Sequence, residues 1–511
     1  MRQGVGAQSR SRQVPGVPGV QGDLRVHSGG VGGLRGRRLL SVHPEAPEPE
    51  VATQHADTVA TDVVSASLLS PQLRGLTVGI VAVITLVAFE GMGVMTAMPV
   101  AVRELNGLGA YAWAFNGYIV TTLVAMVVSG QQCDAIGPRR PLIAAIVLFC
   151  IGAVIAGTAP SMVVFVAGRM VQGMGGGALI VAVYVVIGRV FPDSLKPRAF
   201  SALAAAWVLP ALIGPVLAGF LADHVSWRAV FLLVPFFALP PLLVLVPRLR
   251  GHDGPIGDIT PRVGHTRAAL VAGLGLIALQ SASERRGWLG IALAAVGVVI
   301  LVPSARHLLP AGSLRFARGL PTVISLRGVI AGAFFGAEAF VPLALHDIRG
   351  VSTTLAGMAI AIGSLAWTVS SAVQGSSRVH LSRVMFLRIG TALAATCLAT
   401  VPLSLVSVLP PWLAVVSWAI GAAGMGFAFP SLSVLTLRLS PPADQGANSA
   451  ALQVSDSMGS VVLLAAAGTV HAAAVANGGA TESTYTLIWL SMAVIMLVAM
   501  QLSRRVAVRA A

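Results

Sequence analysis

From Leu76 onward the chain alternates between long apolar runs and short polar gaps. Each run approaches the roughly 20 residues a helix needs to cross a bilayer core. The pattern predicts helices near 76–99, 112–131, 141–159, 162–189, 199–222, 228–247, 267–282, 288–304, 322–345, 354–375, 384–404, 411–436, 446–470 and 485–503. That is about fourteen spans, with ends uncertain by a few residues. The runs 267–282 and 288–304 are short and separated by Glu284-Arg285-Arg286. Residues 1–73 hold no sustained period and are rich in Gly, Pro and Arg, so they read as a disordered cytoplasmic tail. They lack the compact basic, apolar and small-residue order of a cleaved signal peptide.

Composition agrees with an all-α polytopic membrane protein. Hydrophobic residues make up 56% of the chain and charged residues 10%, against roughly 25% charged in soluble domains. The net charge of +15 could suggest nucleic acid, but the arginines occupy gaps between apolar runs rather than patches interleaved with aromatics. With the N-terminus inside, the internal loops collect arginine from Arg139 and Arg140 to Arg504, Arg505 and Arg509. External loops keep Arg103, Arg228, Arg285, Arg286 and Arg349. This asymmetry predicts a multi-pass protein of the cytoplasmic (inner) cell membrane with both termini on the inside. Cys133, Cys150 and Cys397 show no metal-ligand spacing. The single lysine, Lys196, precedes proline, so the chain has no Walker A phosphate loop. No HExxH or His/Cys cluster points to an enzyme.

Acids inside spans are expensive and usually functional. Glu90 lies within the first span, Glu338 within the ninth and Asp456 within the thirteenth. The first span exits through Pro99-Val100-Ala101-Val102-Arg103-Glu104-Leu105, and the ninth through Pro342-Leu343-Ala344-Leu345-His346-Asp347-Ile348. The matching exits predict two related halves, as in many transporters. Glu90 is then the candidate proton carrier, and Glu338, which sits closer to its exit, is a candidate for coupling or for cation binding.

Four short motifs sharpen the picture. Gly130-x-x-x-Asp134-x-x-Gly137-x-Arg139-Arg140 lies between the second and third spans. Gly137 can take the positive φ of a tight turn. Arg169-x-x-Gln172-Gly173 opens a glycine-rich stretch in the fourth span, and Gly214-Pro215-x-x-Ala218-Gly219 lies in the fifth. Trp227-Arg228 followed by Phe231 opens the sixth. Together they resemble the major facilitator superfamily, and within it the fourteen-span drug:proton antiporter branch, over about residues 76–505. Two departures stand out: most of that branch carries aspartate where Glu90 stands, and the second-half loop at Gly375, Arg378 and Arg383 lacks an aspartate.

The resemblance implies two six-helix halves, 74–250 and 319–505, joined by two inserted helices within 251–318, with 506–511 as a cytoplasmic end. It implies proton coupling through Glu90, Glu338, Arg169 and Asp456. Gating would fall to the loop of Gly130, Asp134, Gly137, Arg139 and Arg140, and helix packing to Gly214, Pro215 and Gly219. Asn116, Trp207 and Gln172 would line a cavity for a hydrophobic or cationic small molecule. The expected protein is a monomeric exporter driven by protons, with no cofactor, metal or nucleic acid. Export of an endogenous metabolite or lipid, and a scaffold that no longer transports, remain open alternatives.

Overall fold

The computed structural model describes residues 67–106, 111–251, 254, 263–285, 288–351, 353–376, 379–477 and 479–506. The expected tail therefore lies outside the described residues as far as residue 66, as does the C-terminal end beyond residue 506. Sixteen α-helices carry the described chain. The first set is α1 (Arg74–Glu104), α2 (Tyr111–Ile136), α3 (Arg139–Gly157), α4 (Met162–Val190), α5 (Lys196–Ala205), α6 (Val208–His224) and α7 (Arg228–Arg248). Next come α8 (Val263–Glu284) and α9 (Trp288–Leu308). The second set is α10 (Leu320–Glu338), α11 (Phe340–Arg349), α12 (Thr353–Gly375), α13 (Arg383–Thr400), α14 (Leu413–Leu439), α15 (Gln445–Ala476) and α16 (Glu482–Leu502).

Among the described residues, 12 helical segments are long and apolar enough to cross a membrane. The expected count was about fourteen. The predicted spans 267–282 and 354–375 are helical, as α8 and α12, but are not among the twelve. Helix α8 carries His265, Arg267 and Gln280 along an otherwise apolar run. The span expected over 199–222 is broken into α5 and α6 at Ala206–Trp207. Pro210, in the first turn of α6, has no N–H to give the carbonyl of Ala206, so the helix cannot run through.

The two sets pack mainly within themselves. Helix α4 lies against α2 and α3, and α1 lies against α6 and α7. In the second set α10 packs on α15, and α14 packs on α12 and α13. The sets meet where α2 and α4 touch α15, and where α5 touches α12 and α14. The inserted helix α8 rests on both α2 and α15, with α9 packed on its other side.

Glycines set the closest approaches. A Cβ at Gly175 would meet the main chain of Phe149 on α3, and one at Gly177 the carbonyl of Thr122 on α2. With those two faces of α4 at backbone contact, its third face turns Arg169 and Gln172 toward α1. In α6 Ala218 stands where the resembled motif has the first glycine of its closing pair, and its methyl is fully buried. The compensating glycine stands on α1: a Cβ at Gly93 would come within 3.2 Å of the Ala218 Cβ.

The matching exits hold equivalent ties. Glu104 at the end of α1 accepts from Trp227 Nε1 at 2.8 Å and from Arg228 at the start of α7. Asp347 in α11 accepts from the Tyr485 hydroxyl, near the start of α16, at 2.9 Å.

Candidate functional site

Three acids were expected inside spans, and the structure gives them different partners. Glu90 is fully buried and forms an ion pair with Arg169, itself 3% exposed. The residues are 79 apart in sequence. Arg169 also donates to Gln172 Oε1 at 2.6 Å, and its guanidinium lies 4.4 Å from the ring centroid of Tyr118. Glu90 Oε1 takes the contact with Arg169, and Glu90 Oε2 has no hydrogen-bond partner among the described residues. Gln172 was expected in the cavity wall. It is instead fully buried and holds Arg169 in place, one helical turn further along α4.

Asp456 on α15 is paired as well, with Arg327 on α10. Arg327 Nε and Nη2 both donate to Asp456 Oδ2, at 2.8 and 2.7 Å. The guanidinium lies 3.6 Å from the ring centroid of Phe429 on α14. Sequence reasoning passed over Arg327, although a lone arginine inside the run 322–345 is as costly as an acid. Each set of helices thus holds one arginine–carboxylate pair inside a span with an aromatic ring against its guanidinium. The polarity is crossed: the first helix of the first set brings the acid, and the first helix of the second set brings the base.

Glu338 does not repeat Glu90. Among the described residues it carries no ion pair, and its polar neighbour is the indole of Trp418. It is half-buried, at the point where α10 ends and α11 begins.

The last turns of α2 and the turn into α3 tie the two sets together. Gly137 has φ of +83°, which lets the chain turn into α3 at Arg139. The Asp134 carboxylate accepts from Gly446 N at 2.7 Å and Ala447 N at 2.8 Å, at the N-terminus of α15. Arg189 approaches the same carboxylate at 3.5 Å. An anion at a helix N-terminus meets unpaired N–H groups and the positive end of the helix dipole. A Cβ at Gly130 would meet the carbonyl of Gly446 at 2.6 Å, so glycine is required for α2 and α15 to touch here. Arg139 is half-buried and Arg140 is exposed.

The second set lacks the aspartate, and main-chain acceptors stand in its place. Arg198 Nε donates to the carbonyl of Gly375 at 3.2 Å, and the Ser201 hydroxyl donates to the carbonyl of Ser371. These contacts and those of Asp134 gather at one end of the bundle. The Ser433 hydroxyl donates to Tyr184 Oη at 3.4 Å near the same end.

Of the remaining expected residues, Gly214 is buried against α1, where a Cβ would lie 3.3 Å from Met92 Cβ, and Gly219 is half-buried. The side chains of Pro215 and Asn116 lie outside the described ones. Trp207 is 41% exposed, at the junction of α5 and α6.

Comparison with known proteins agrees with this architecture. Residues 80–464 match the Major Facilitator Superfamily. A probable multidrug-efflux transporter of Mycobacterium tuberculosis is 28% identical over 385 residues, covering 70% of this chain and 79% of that protein. The multidrug transporter protein MdtP of Bacillus subtilis is 28% identical over 306 residues, covering 56% of this chain and 55% of that one. Among solved structures, the human organic anion transporter MFSD10 superposes with a TM-score of 0.64 at 13% identity, over 85% of this chain and 100% of that one. An outward-facing bacterial homologue of ferroportin gives 0.62 at 12% identity, over 84% and 98%. These structures are alike in fold. A multi-pass helical chain, a glycine-built α2–α3 loop closing on α15 and a match over residues 80–464 lead to one conclusion: this protein belongs to the Major Facilitator Superfamily, a family of transporters and not of enzymes.

Proposed function

We propose that the chain is a fourteen-span, proton-coupled exporter of hydrophobic and cationic compounds, of the drug:proton antiporter type. Helices α8 and α12 would complete the fourteen spans. The carrying observation is the buried Glu90–Arg169 pair with one unpartnered carboxylate oxygen. A buried ion pair is stable only while both charges remain, because removing one leaves the other uncompensated at about 3–5 kcal/mol. Protonation at Glu90 Oε2 therefore releases the Arg169 ion pair and leaves the guanidinium held by Gln172 and Tyr118 alone. Loss of that proton restores the pair. A pair that parts and re-forms with one proton gives the bistable element that alternating access needs.

In this reading the Asp134–α15 contact closes the cytoplasmic end while Glu90 exchanges its proton with the outside. Arg327–Asp456 is the coupling pair of the second set. The arginine-rich loops support the reading of an inner-membrane protein with both termini in the cytoplasm, and in this reading the chain works as a monomer. The distant relationship to proteins named as multidrug transporters supports drug efflux.

The test is uptake of ethidium into everted vesicles under an imposed proton gradient, with wild type beside Glu90→Gln. Uptake by the wild type that is lost in the variant is expected. Equal uptake by both would remove Glu90 from the mechanism. No uptake by inserted, folded wild type would move the substrate to a dedicated metabolite or lipid.

A further inference from the structure

Glu338 has no role in the two ion pairs, and its surroundings are unlike theirs. Phe335 on α10, Trp367 on α12 and Phe429 on α14 form a ring cluster one turn away. Phe335 and Trp367 are near-parallel with centroids 6.1 Å apart, and Trp367 meets Phe429 edge-on at 5.1 Å. Phe334 stacks on Trp418 at 4.8 Å and joins the cluster through Trp367 at 6.2 Å. Trp418 in turn borders the Glu338 carboxylate. Phe335, Trp367 and Glu338 are only half-buried, and Ala339, in the gap between α10 and α11, is exposed.

The cluster stands on helices that meet the first set. Helices α12 and α14, which carry Trp367 and Phe429, are the ones that pack on α5. An unpaired carboxylate turned to lipid would cost about 2.5–3.5 kcal/mol on insertion scales, so it has to face protein or water.

Charge decides the ligand. Glu90 is paired with Arg169 and Asp456 with Arg327, which leaves Glu338 as the acid of the three without a cationic partner among the described residues. Aromatic faces beside it attract a cation further, most strongly where water is excluded. Phe429 already holds the guanidinium of Arg327 over its face. We infer that Glu338, with Phe335, Trp367 and Trp418, is the recognition site for a monovalent lipophilic organic cation, separate from the groups that carry protons. The inference rests on the drug-export reading and assigns Glu338 to substrate charge rather than to coupling.

Binding without a gradient tests it independently of coupling. Purified full-length protein is titrated with radiolabelled tetraphenylphosphonium, and separately with the neutral dye N-phenylnaphthylamine. Glu338→Gln is expected to weaken tetraphenylphosphonium at least tenfold and to leave the neutral dye unchanged. Glu338→Asp keeps the charge and should bind the cation within a few-fold of wild type. Trp367→Leu should weaken the cation several-fold. Equal affinity for the cation in wild type and Glu338→Gln overturns the inference, as does absence of cation binding by wild type or a parallel loss for both probes. Proton coupling is read only in the Glu90→Gln vesicle assay, so either result can fail alone.

Discussion

Asp134 is the side chain on which closure of the α2–α15 contact depends, and Asp134→Asn changes it by one heavy atom. The carboxylate accepts from Gly446 N and Ala447 N through different oxygens. Asparagine keeps one acceptor and turns an NH2 toward the other N–H, so one of the two bonds is lost. A hydrogen bond to a charged group is worth about 1.5–3 kcal/mol. The charge itself adds about 0.3–1 kcal/mol at a helix N-terminus. The contact is buried, with Asp134 at 4% exposure, so water does little to replace what is lost. A total of roughly 2–4 kcal/mol corresponds to a factor of roughly 30–700 in the equilibrium between closed and open ends. A 99:1 closed population would fall to between about 3:1 and 1:7. Spin labels at Arg140 and Pro442, both exposed and on opposite sides of the contact, would report the change by pulsed electron–electron resonance. The background would have Cys133, Cys150 and Cys397 replaced. A second, longer distance population is expected in Asp134→Asn. An unchanged distribution would refute the argument that this carboxylate holds the end shut.

Further outcomes follow from packing and charge. Gly175→Leu forces a side chain into the main chain of Phe149, whereas Gly91 has no atom within 4 Å of a built Cβ. Overpacking of about 1–3 kcal/mol or more should lower the thermal midpoint in detergent for Gly175→Leu, while Gly91→Leu should melt like wild type. Arg327→Met strands Asp456 and should cost about 3–5 kcal/mol, with much of it recovered in Arg327→Met/Asp456→Leu. Thermal midpoints ranked otherwise would deny that the pair is buried. Arg228 and Trp227 hold the exposed Glu104 carboxyl below the ordinary glutamate range. Its contribution is therefore present above the unfolded-state pKa and disappears as pH falls through the lower folded value. Glu104→Gln should melt lower than wild type near about pH 7, and the gap should close as pH falls through the lowered folded pKa.

Much of the architecture was readable because bilayer-spanning helices advertise themselves by length and apolarity alone. The loop from Gly130 to Arg140 was readable because its glycines and its acid each have a local geometric reason. What lay beyond reach was pairing over distance. Glu90, Arg169 and Gln172 were each singled out, but only the packing of α4 between α2 and α3 aims the last two at the first. Matching exits made Glu338 look like the twin of Glu90. The fold instead puts Arg327 and Asp456 in the paired role, on helices of the opposite order. Arg327 could have been found from its charge in an apolar run. The acceptor role of the Gly375 carbonyl could not, because main-chain groups leave no trace in residue identity.

Helix α8 lies across the seam where α2 meets α15. The residues it buries there are small or smooth: Ala269 and Ala272 are fully covered, Leu276 nearly so, and Gly273 sits over Val120. A face that is largely alanine and glycine interlocks little with the ridges beneath it, and such a joint lets one partner helix shift while the other stays attached. In the alternating-access cycle proposed above, the inserted hairpin would then act as a gasket. It would keep acyl chains out of a joint that opens and shuts, and cover the glycine contact between Gly130 and Gly446.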